Sequence, residues 1–229
     1  MKLLFFKKNL ILFIKSLLRL KGGKLSFLRK IPKNSRILDL GCGNNSSVIV
    51  KTICPNSYYV GIDVVDLNNN CDVNQIADKY ILTDPDSFVK SIKSLNLKFD
   101  SIISSHNLEH CNDRYGTLNA MIDKLNYKGK IYISFPSRET IKFPSRQGTL
   151  NYYDDPTHKD LPPDFNLIKE TFHEKGLKII FSSKNYKPLL LKLLGYLTEP
   201  LSNHYKKVYP GVWERWGFES IIIAEKIRQ

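Results

Sequence analysis

The chain has 229 residues, 42% of them hydrophobic, and a formal net charge of +13. That length suits one well-buried α/β domain and is short for two. The four cysteines, Cys42, Cys54, Cys71 and Cys111, show no C-x-x-C spacing, which argues against a disulfide framework or a zinc site and fits a reducing cytoplasm.

The charge sits at the N-terminus. Residues 1–36 hold eleven of the 35 Lys and Arg and no acid, which leaves 24 bases against 22 acids in the remainder. The body is therefore near neutral, and the overall basicity is no argument for a nucleic-acid partner. Leu3, Phe6, Leu10, Phe13, Leu17 and Leu20 recur at three- or four-residue intervals, the spacing of an amphipathic helix. Residues 1–30 thus read as a basic helical segment ahead of a single domain, 31–229. Its longest uncharged apolar stretch, residues 10–14, is far short of a membrane span. Lysines interrupt the apolar run and no small-residue cleavage site follows, unlike a signal peptide. Two uses stay open: packing on the domain, or peripheral contact of residues 1–21 with an anionic membrane.

Ile37, Leu38 and Leu40 form a short apolar run that reads as a buried parallel strand, ended by Gly41-Cys42-Gly43. Glycine at both positions permits positive φ and close approach of a ligand. A second strand over 58–62 ends in Asp63, about twenty residues on. In a doubly wound sheet that carboxylate lies beside the first turn and can accept both hydroxyls of a ribose. A dinucleotide fingerprint would need a third glycine, where this chain has Ser46, and no phosphate-binding lysine follows.

Val48, Ile49 and Ile53 predict a helix ended by Pro55; a strand over 80–82 and helically spaced Phe88, Ile92 and Leu95 follow an Asn-rich loop. Strands are predicted over 99–104 and 130–135. Between them Leu118, Met121, Ile122 and Leu125 mark a helix closed by Gly129. Phe165, Ile168 and Phe172 mark another, closed by Gly176, before final strands over 178–182 and 220–224. Alternating strands and helices imply a mostly parallel sheet with right-handed crossovers. Residues 136–160 and 187–217 are insertions, the second showing no helix pattern adequate for a normal crossover.

The D-x-G-x-G turn (Asp39, Gly41, Gly43) with the strand-end acid Asp63 resembles the first two motifs of class I S-adenosylmethionine-dependent methyltransferases. Over about residues 36–226 the chain is similar to their types 11 and 12, including those of surface-polysaccharide gene clusters. The resemblance implies a Rossmann-like α/β fold: a seven-stranded sheet, mostly parallel with an antiparallel last strand, and helices on both faces. It implies S-adenosylmethionine as cofactor, held by Asp39, Gly41, Cys42, Gly43, Asn44, Asp63 and Val64. Asp84 would contact adenine, and the loop after the fourth strand, with Ser105 and His106, would wall the methionine end. That loop, Ser105-His106-Asn107-Leu108-Glu109-His110, lacks the Pro-Pro-aromatic motif of amino-group methyltransferases, which favours an oxygen of a small or sugar-like acceptor.

Methyl transfer to a hydroxyl needs a proton acceptor, and histidine suits that role near neutral pH. His158 in an Asp-Pro-Thr-His element is the first candidate, oriented by Asp155, and His110 the second. Each histidine also has a plain structural use: His106 as a pocket wall, His110 as a helix cap or partner of Glu109, His158 as a loop fastener. Glu109, His110 and Asp155 show no recognised metal-ligand spacing, so no metal is expected. Arg138, Arg146, Tyr152 and Tyr153 in the long loop suit an acceptor bearing phosphate or carboxylate. The apolar run 189–194 and Trp213 and Trp216 fit a roof over the core, a homodimer face, or a lipid-facing surface shared with residues 1–21.

Overall fold

The computed structural model describes residues 22–66 and 73–228. The predicted helix over 1–21 lies outside the described residues, and only its sequel α1, Lys24–Leu28, is seen. Phe27 and Leu28 of α1 are buried in the core.

Seven strands form one sheet in the order β3-β2-β1-β4-β5-β7-β6. In chain order these are β1 (Arg36–Leu40), β2 (Tyr58–Asp63), β3 (Lys79–Leu82), β4 (Phe99–Ser105), β5 (Leu125–Pro136), β6 (Leu177–Ser183) and β7 (Glu219–Lys226). The first five run parallel to one another, and β7 inserts between β5 and β6, antiparallel to both. The predicted mostly parallel sheet with a reversed last strand is the observed one. Among the described residues seven further α-helices follow α1: α2 (Ser46–Ile53), α3 (Val73–Ile76), α4 (Phe88–Lys93), α5 (Arg114–Lys124), α6 (Phe165–Glu174), and the insertion's pair α7 (Leu189–Tyr205) and α8 (Val212–Trp216).

Burial on both faces explains why the central strands read as unbroken apolar runs. In β5, Ile131 and Ile133 face a core filled by Leu118, Met121, Ile122, Ile168 and Phe172, from α5 and α6. Tyr132, between them, points to the other face among Phe27, Val50, Tyr59 and Ile221. Local signals fix the helix ends. Asp113 caps α5 by accepting from Gly116 N at 2.7 Å, Asp164 caps α6, and Gly176 at φ +72° follows the end of α6.

Two expectations are corrected. Gly129 does not close α5, which ends at Lys124; Leu125 turns extended to pair with Phe99, and Gly129 lies inside β5 next to Lys128 at φ +60°. The insertion 187–217 is largely helical, because α7 has its own partner in α8 rather than the sheet. At their crossing, a Cβ on Gly195 would run into the carbonyl of Gly211 and lie 2.6 Å from Arg215 Cβ. The backbones touch there, and only glycine fits. Leu150, Val212 and Phe218 form a third buried cluster under this pair, with Phe143, Trp213 and Trp216 around it. Residues 136–160 are strapped to the same unit: Gln147 N donates to Lys206 O at 2.8 Å, and Val208 N to Gln147 O at 2.9 Å.

Gly195→Ala is therefore expected to destabilise the fold by about 1–3 kcal/mol through overpacking. Leu197→Ala in the same helix, at a side chain 77% exposed, should stay within about 0.5 kcal/mol of the parent. Denaturant midpoints of the two variants test this; equal midpoints would rule out the close crossing.

Candidate active site at the carboxyl ends of the strands

The carboxyl ends of β1, β2, β4 and β5 converge on the turn 41–45, as the switch-point rule requires for a sheet of this topology. Gly41 and Gly43 adopt φ of +61° and +53°. A Cβ on Gly41 would lie 2.5–2.7 Å from the Asn107 side chain, so this glycine lets the loop after β4 close on the turn. A Cβ on Gly43 would meet nothing nearer than 4.0 Å. The second glycine therefore keeps a space clear above the turn.

Asp63 stands at the edge of that space. Its Oδ2 accepts from Gly43 N at 2.6 Å, and its Oδ1 from Val64 N at 2.8 Å. A carboxylate offers about four lone-pair positions; these donors, with a longer one from Val65 N to Oδ1 at 3.4 Å, leave capacity for a further donor such as a ribose hydroxyl. Asp39 is fully buried and does not line the space. Its Oδ2 accepts from Ser46 Oγ at 2.5 Å and Tyr59 Oη at 3.2 Å, and Lys24 Nζ lies 3.4 Å away. Asp39 Oδ1 has no hydrogen-bond partner among the described residues. Cys42 is buried, and burial, with Asp39 and Asp63 beside it, pushes its thiol far above the ordinary value; it packs against Gly61 and is not a nucleophile. Val64 and Asp84 are exposed at the ends of β2 and β3, and Asn44 sits on the turn. A glycine-lined space with a strand-end carboxylate at its edge fits a nucleoside-bearing cofactor.

The loop after β4 is held tightly. Ser105 Oγ lies 3.1 Å from Ser134 Oγ, and His106 N donates to Ser134 O at 2.9 Å. His106 takes φ +52°, in the left-handed region that side chains seldom adopt. Two carboxylates hold it there: its Nδ1 is 3.1 Å from Glu109 Oε1 and its Nε2 is 3.3 Å from Glu219 Oε1. Burial of the ring opposes a charge, but hydrogen bonds and attraction from both acids raise its pKa to about 10. His106 is thus an imidazolium with both N–H groups engaged, flanked by the Trp213 and Phe218 rings. Its nitrogens are not free for a cofactor or for a proton.

His110 and His158 come together, with ring centroids 4.8 Å apart. Lys159 N donates to Glu109 O at 2.8 Å, and Arg114 Nη2 reaches Glu109 O at 3.3 Å, Tyr152 Oη at 3.2 Å and the Lys159 carbonyl. The loop after β5 is thereby docked on the loop after β4. His158 stacks on Tyr152 with centroids 4.4 Å apart and donates from Nδ1 to the Tyr152 carbonyl at 2.5 Å. The orienting group is therefore this carbonyl and not Asp155, whose Oδ2 is 4.0 Å from His158 Nε2 and whose Oδ1 instead accepts from Thr157 N and Oγ1. Burial lowers the His158 pKa below its ordinary 6.5, so the ring is neutral at pH 7 with its lone pair on Nε2.

The four acceptor-binding candidates separate. Arg138 and Tyr153 are exposed. Tyr152 is buried as the platform under His158. Arg146 is only 4% exposed and braces α7, through Ser202 Oγ and Glu199 Oε1, each at 2.7 Å. Glu199 and Ser202 hold Arg146 inside, so it is not available to an acceptor phosphate. Sequence reasoning missed Glu219, Trp213, Thr157 and Arg114, all joined to the site by contacts between residues distant in sequence. A cavity of about 490 Å³ lies at the opposite end of the sheet, lined by Phe27, Ile31, Tyr127, Ile180 and Phe181, and brings together none of these groups.

Asp154 organises the loop that carries His158. Its carboxylate accepts from Ser145 Oγ and from the N–H groups of Arg146, Leu150 and Asn151. Burial opposes its ionisation, but these donors outweigh it and hold the pKa below the ordinary 3.8. A depressed folded value contributes stability above the unfolded pKa and loses it as pH falls through the folded one. Trp213 Nε1 donates to Thr149 O at 2.8 Å within this loop and reports on it. In a Trp216→Phe background, Asp154→Asn should shift Trp213 fluorescence already at neutral pH. The parent should show that shift only below about pH 3.8. Matching neutral spectra would remove Asp154 from this role.

The comparisons agree with this geometry. The family model described as a methyltransferase domain matches residues 14–181. Uncharacterized protein MJ0906 of Methanocaldococcus jannaschii is 34% identical over 110 residues, a match that spans 46% of this chain and 29% of that protein. The chain thus spans under a third of that curated relative. A SAM-dependent methyltransferase from Archaeoglobus fulgidus superposes with a TM-score of 0.56 at 21% identity, covering 93% of each chain. The N-methyltransferase NodS of Bradyrhizobium japonicum, in complex with S-adenosyl-L-homocysteine, gives 0.51 at 13% identity, covering 86% of this chain and 80% of that one. These last two likenesses establish the fold. The chain belongs to the class I methyltransferase domain family, whose methyl donor is S-adenosylmethionine.

Proposed function

We propose that the protein methylates a hydroxyl oxygen of a small, polar, sugar-like acceptor, such as a surface-polysaccharide unit or its nucleotide-linked or phosphorylated precursor. The observation that carries this reading is the cluster of Glu109, His110 and His158. It presents imidazole lone pairs and a buried carboxylate on the loop that Asn107 presses against the donor turn. When bound, S-adenosylmethionine supplies a methyl group already activated by its sulfonium, so the protein has to align the acceptor and take its proton. Asp63 accepts a ribose hydroxyl, and Gly43 leaves it room. The Glu109–His110–His158 cluster receives the acceptor hydroxyl, with the neutral Nε2 of His158 as the open proton site. A loop rich in proton acceptors, and without a Pro-Pro-aromatic clamp, supports oxygen over nitrogen.

A second reading, an acceptor met at a membrane surface, is favoured by one observation. Helix α7 leaves Leu189, Leu190, Leu193, Leu197 and Leu201 at least half exposed. Among the described residues no helix is long and apolar enough to cross a membrane, so the contact in this reading is peripheral. Leu193→Glu with Leu197→Glu should abolish co-sedimentation with anionic liposomes. Equal sedimentation of parent and variant would dismiss this reading, and a mass that doubles with concentration in the absence of vesicles would assign the face to a second copy.

For the main reading, Asp63→Ala should weaken S-adenosylhomocysteine binding about tenfold or more, by calorimetry, since hydrogen bonds to a charged group contribute about 1.5–3 kcal/mol each. His158→Ala should leave that affinity intact. It should lower kcat on nucleotide sugars or sugar phosphates by about a hundredfold, the scale of general-base assistance. Undiminished turnover in both His158→Ala and His110→Ala would refute the assignment of the acceptor site.

A further inference from the structure

We infer that Glu109, His110 and His158 form a binding site for one divalent transition-metal ion, of the zinc, cobalt, manganese or ferrous class. One ligand atom from each of the three, an imidazole nitrogen from either histidine and a carboxylate oxygen from Glu109, lies within 4.8 Å of the other two. The carboxylate of Glu109 is fully buried, and while Oε1 engages His106, Oε2 has no hydrogen-bond partner among the described residues. His106 compensates the charge through Oε1, and the buried Oε2 is the atom left without a donor or cation facing it among those residues, an unfavourable state that a bound ion would relieve.

Both imidazoles are set to offer Nε2. His158 donates from Nδ1 to the Tyr152 carbonyl, which leaves the lone pair on Nε2. Thr157 directs its hydroxyl proton to Asp155 Oδ1 at 2.6 Å, so its oxygen accepts from His110 Nδ1 at 2.9 Å. The lone pair of His110 is therefore on Nε2 as well. A ring N–H tied to a carbonyl or a carboxylate-bound hydroxyl is how metal-bound histidines are usually oriented. Two imidazoles and one carboxylate select borderline divalent ions over calcium or magnesium, which prefer all-oxygen sites. Bonds near 2.1 Å in a tetrahedral site place ligand atoms about 3.4 Å apart. The approach still needed is about an ångström and a half, which rotation of the half-exposed His110 ring can supply. Nearby charges are mixed: Glu219 and Asp155 favour a cation, whereas His106 and Arg114 oppose one.

Three protein ligands leave coordination positions open, the arrangement of a catalytic rather than a structural ion. Binding of the ion does not depend on the function proposed above, but its role does. On that reading the acceptor hydroxyl is an additional ligand, and the ion's charge favours release of its proton to solvent. In the metal-free protein the Nε2 lone pair of His158 is the proton acceptor; with the ion bound, that same lone pair is committed to the metal and His158 positions the ion instead.

Untagged full-length protein, freed of metal by dialysis against chelator, is titrated with Co²⁺ and followed by visible absorption. The expected result is one equivalent bound, with affinity reduced about a hundredfold in His110→Ala and in His158→Ala and unchanged in His173→Ala. Absence of a stoichiometric band, or undiminished affinity in both site variants, overturns the proposal. A parallel S-adenosylhomocysteine titration separates the two claims. Cofactor binding without cobalt binding defeats the metal site and leaves methyl transfer standing, whereas cobalt binding without cofactor binding does the reverse.

Discussion

The docking of Arg114 onto three backbone carbonyls is the contact on which the acceptor half of this protein depends. Its guanidinium reaches the carbonyls of Glu109, Lys159 and Leu161 and the hydroxyl of Tyr152. A fixed fork of five donors suits such a junction, because one side chain satisfies several loop carbonyls that no sheet or helix would pair. Without it, the loops after β4 and β5 would be joined by the Lys159–Glu109 and Thr157–His110 hydrogen bonds and the contact of the His110 and His158 rings. Arg114 adds the contacts that fix the Lys159–Leu161 stretch against Glu109. Arg114 is the first residue of α5, so the core packing of Leu118 and Met121 sets its position. The acceptor site is in this way an extension of the hydrophobic core.

The donor half is built differently. Its essential atoms are main-chain atoms: N–H groups of Gly43 and Val64 aimed at Asp63, and glycine Cα atoms with no side chain above them. Such a site needs only a few residue types at fixed local offsets. For that reason the turn 41–45 and Asp63 were legible in the sequence, as were most strand and helix positions and the reversed last strand. Buried parallel strands bounded by glycine and proline leave a strong local pattern.

The remainder was not legible, for a physical reason. Glu219 reaches His106 from β7, and Trp213 reaches it from α8, more than a hundred residues away in the chain. Neither partner has a sequence signature, because an ion pair requires only that two side chains arrive at the same place. Arg146 misleads in the opposite direction. Its position in a polar loop suggests solvent, yet Glu199 and Ser202, which lie in an otherwise apolar helix, draw it inside. Gly195 carried its own clue, since glycine in a helix interior is unfavourable by about 1 kcal/mol unless close packing requires it.

His106 ties the two halves together. A histidine at φ +52° carries backbone strain of about 1–3 kcal/mol, which persists only where the surroundings over-determine it. Here the imidazolium satisfies two buried carboxylates that would otherwise repel each other, and those ion pairs offset the strain. One of the two, Glu109, opens the acceptor cluster with its second oxygen. The other, Glu219, begins β7, so the reversed strand at the far side of β5 is electrostatically coupled to the loop after β4. The left-handed turn at His106 also directs Asn107 onto Gly41. A neutral residue at position 106 would leave Glu109 and Glu219 facing one another unshielded, and the loop would have to open to hydrate them. The contact that brings the acceptor loop to the donor turn therefore requires a cation at position 106, which is why this histidine is a structural charge and the two beyond it are left to do chemistry.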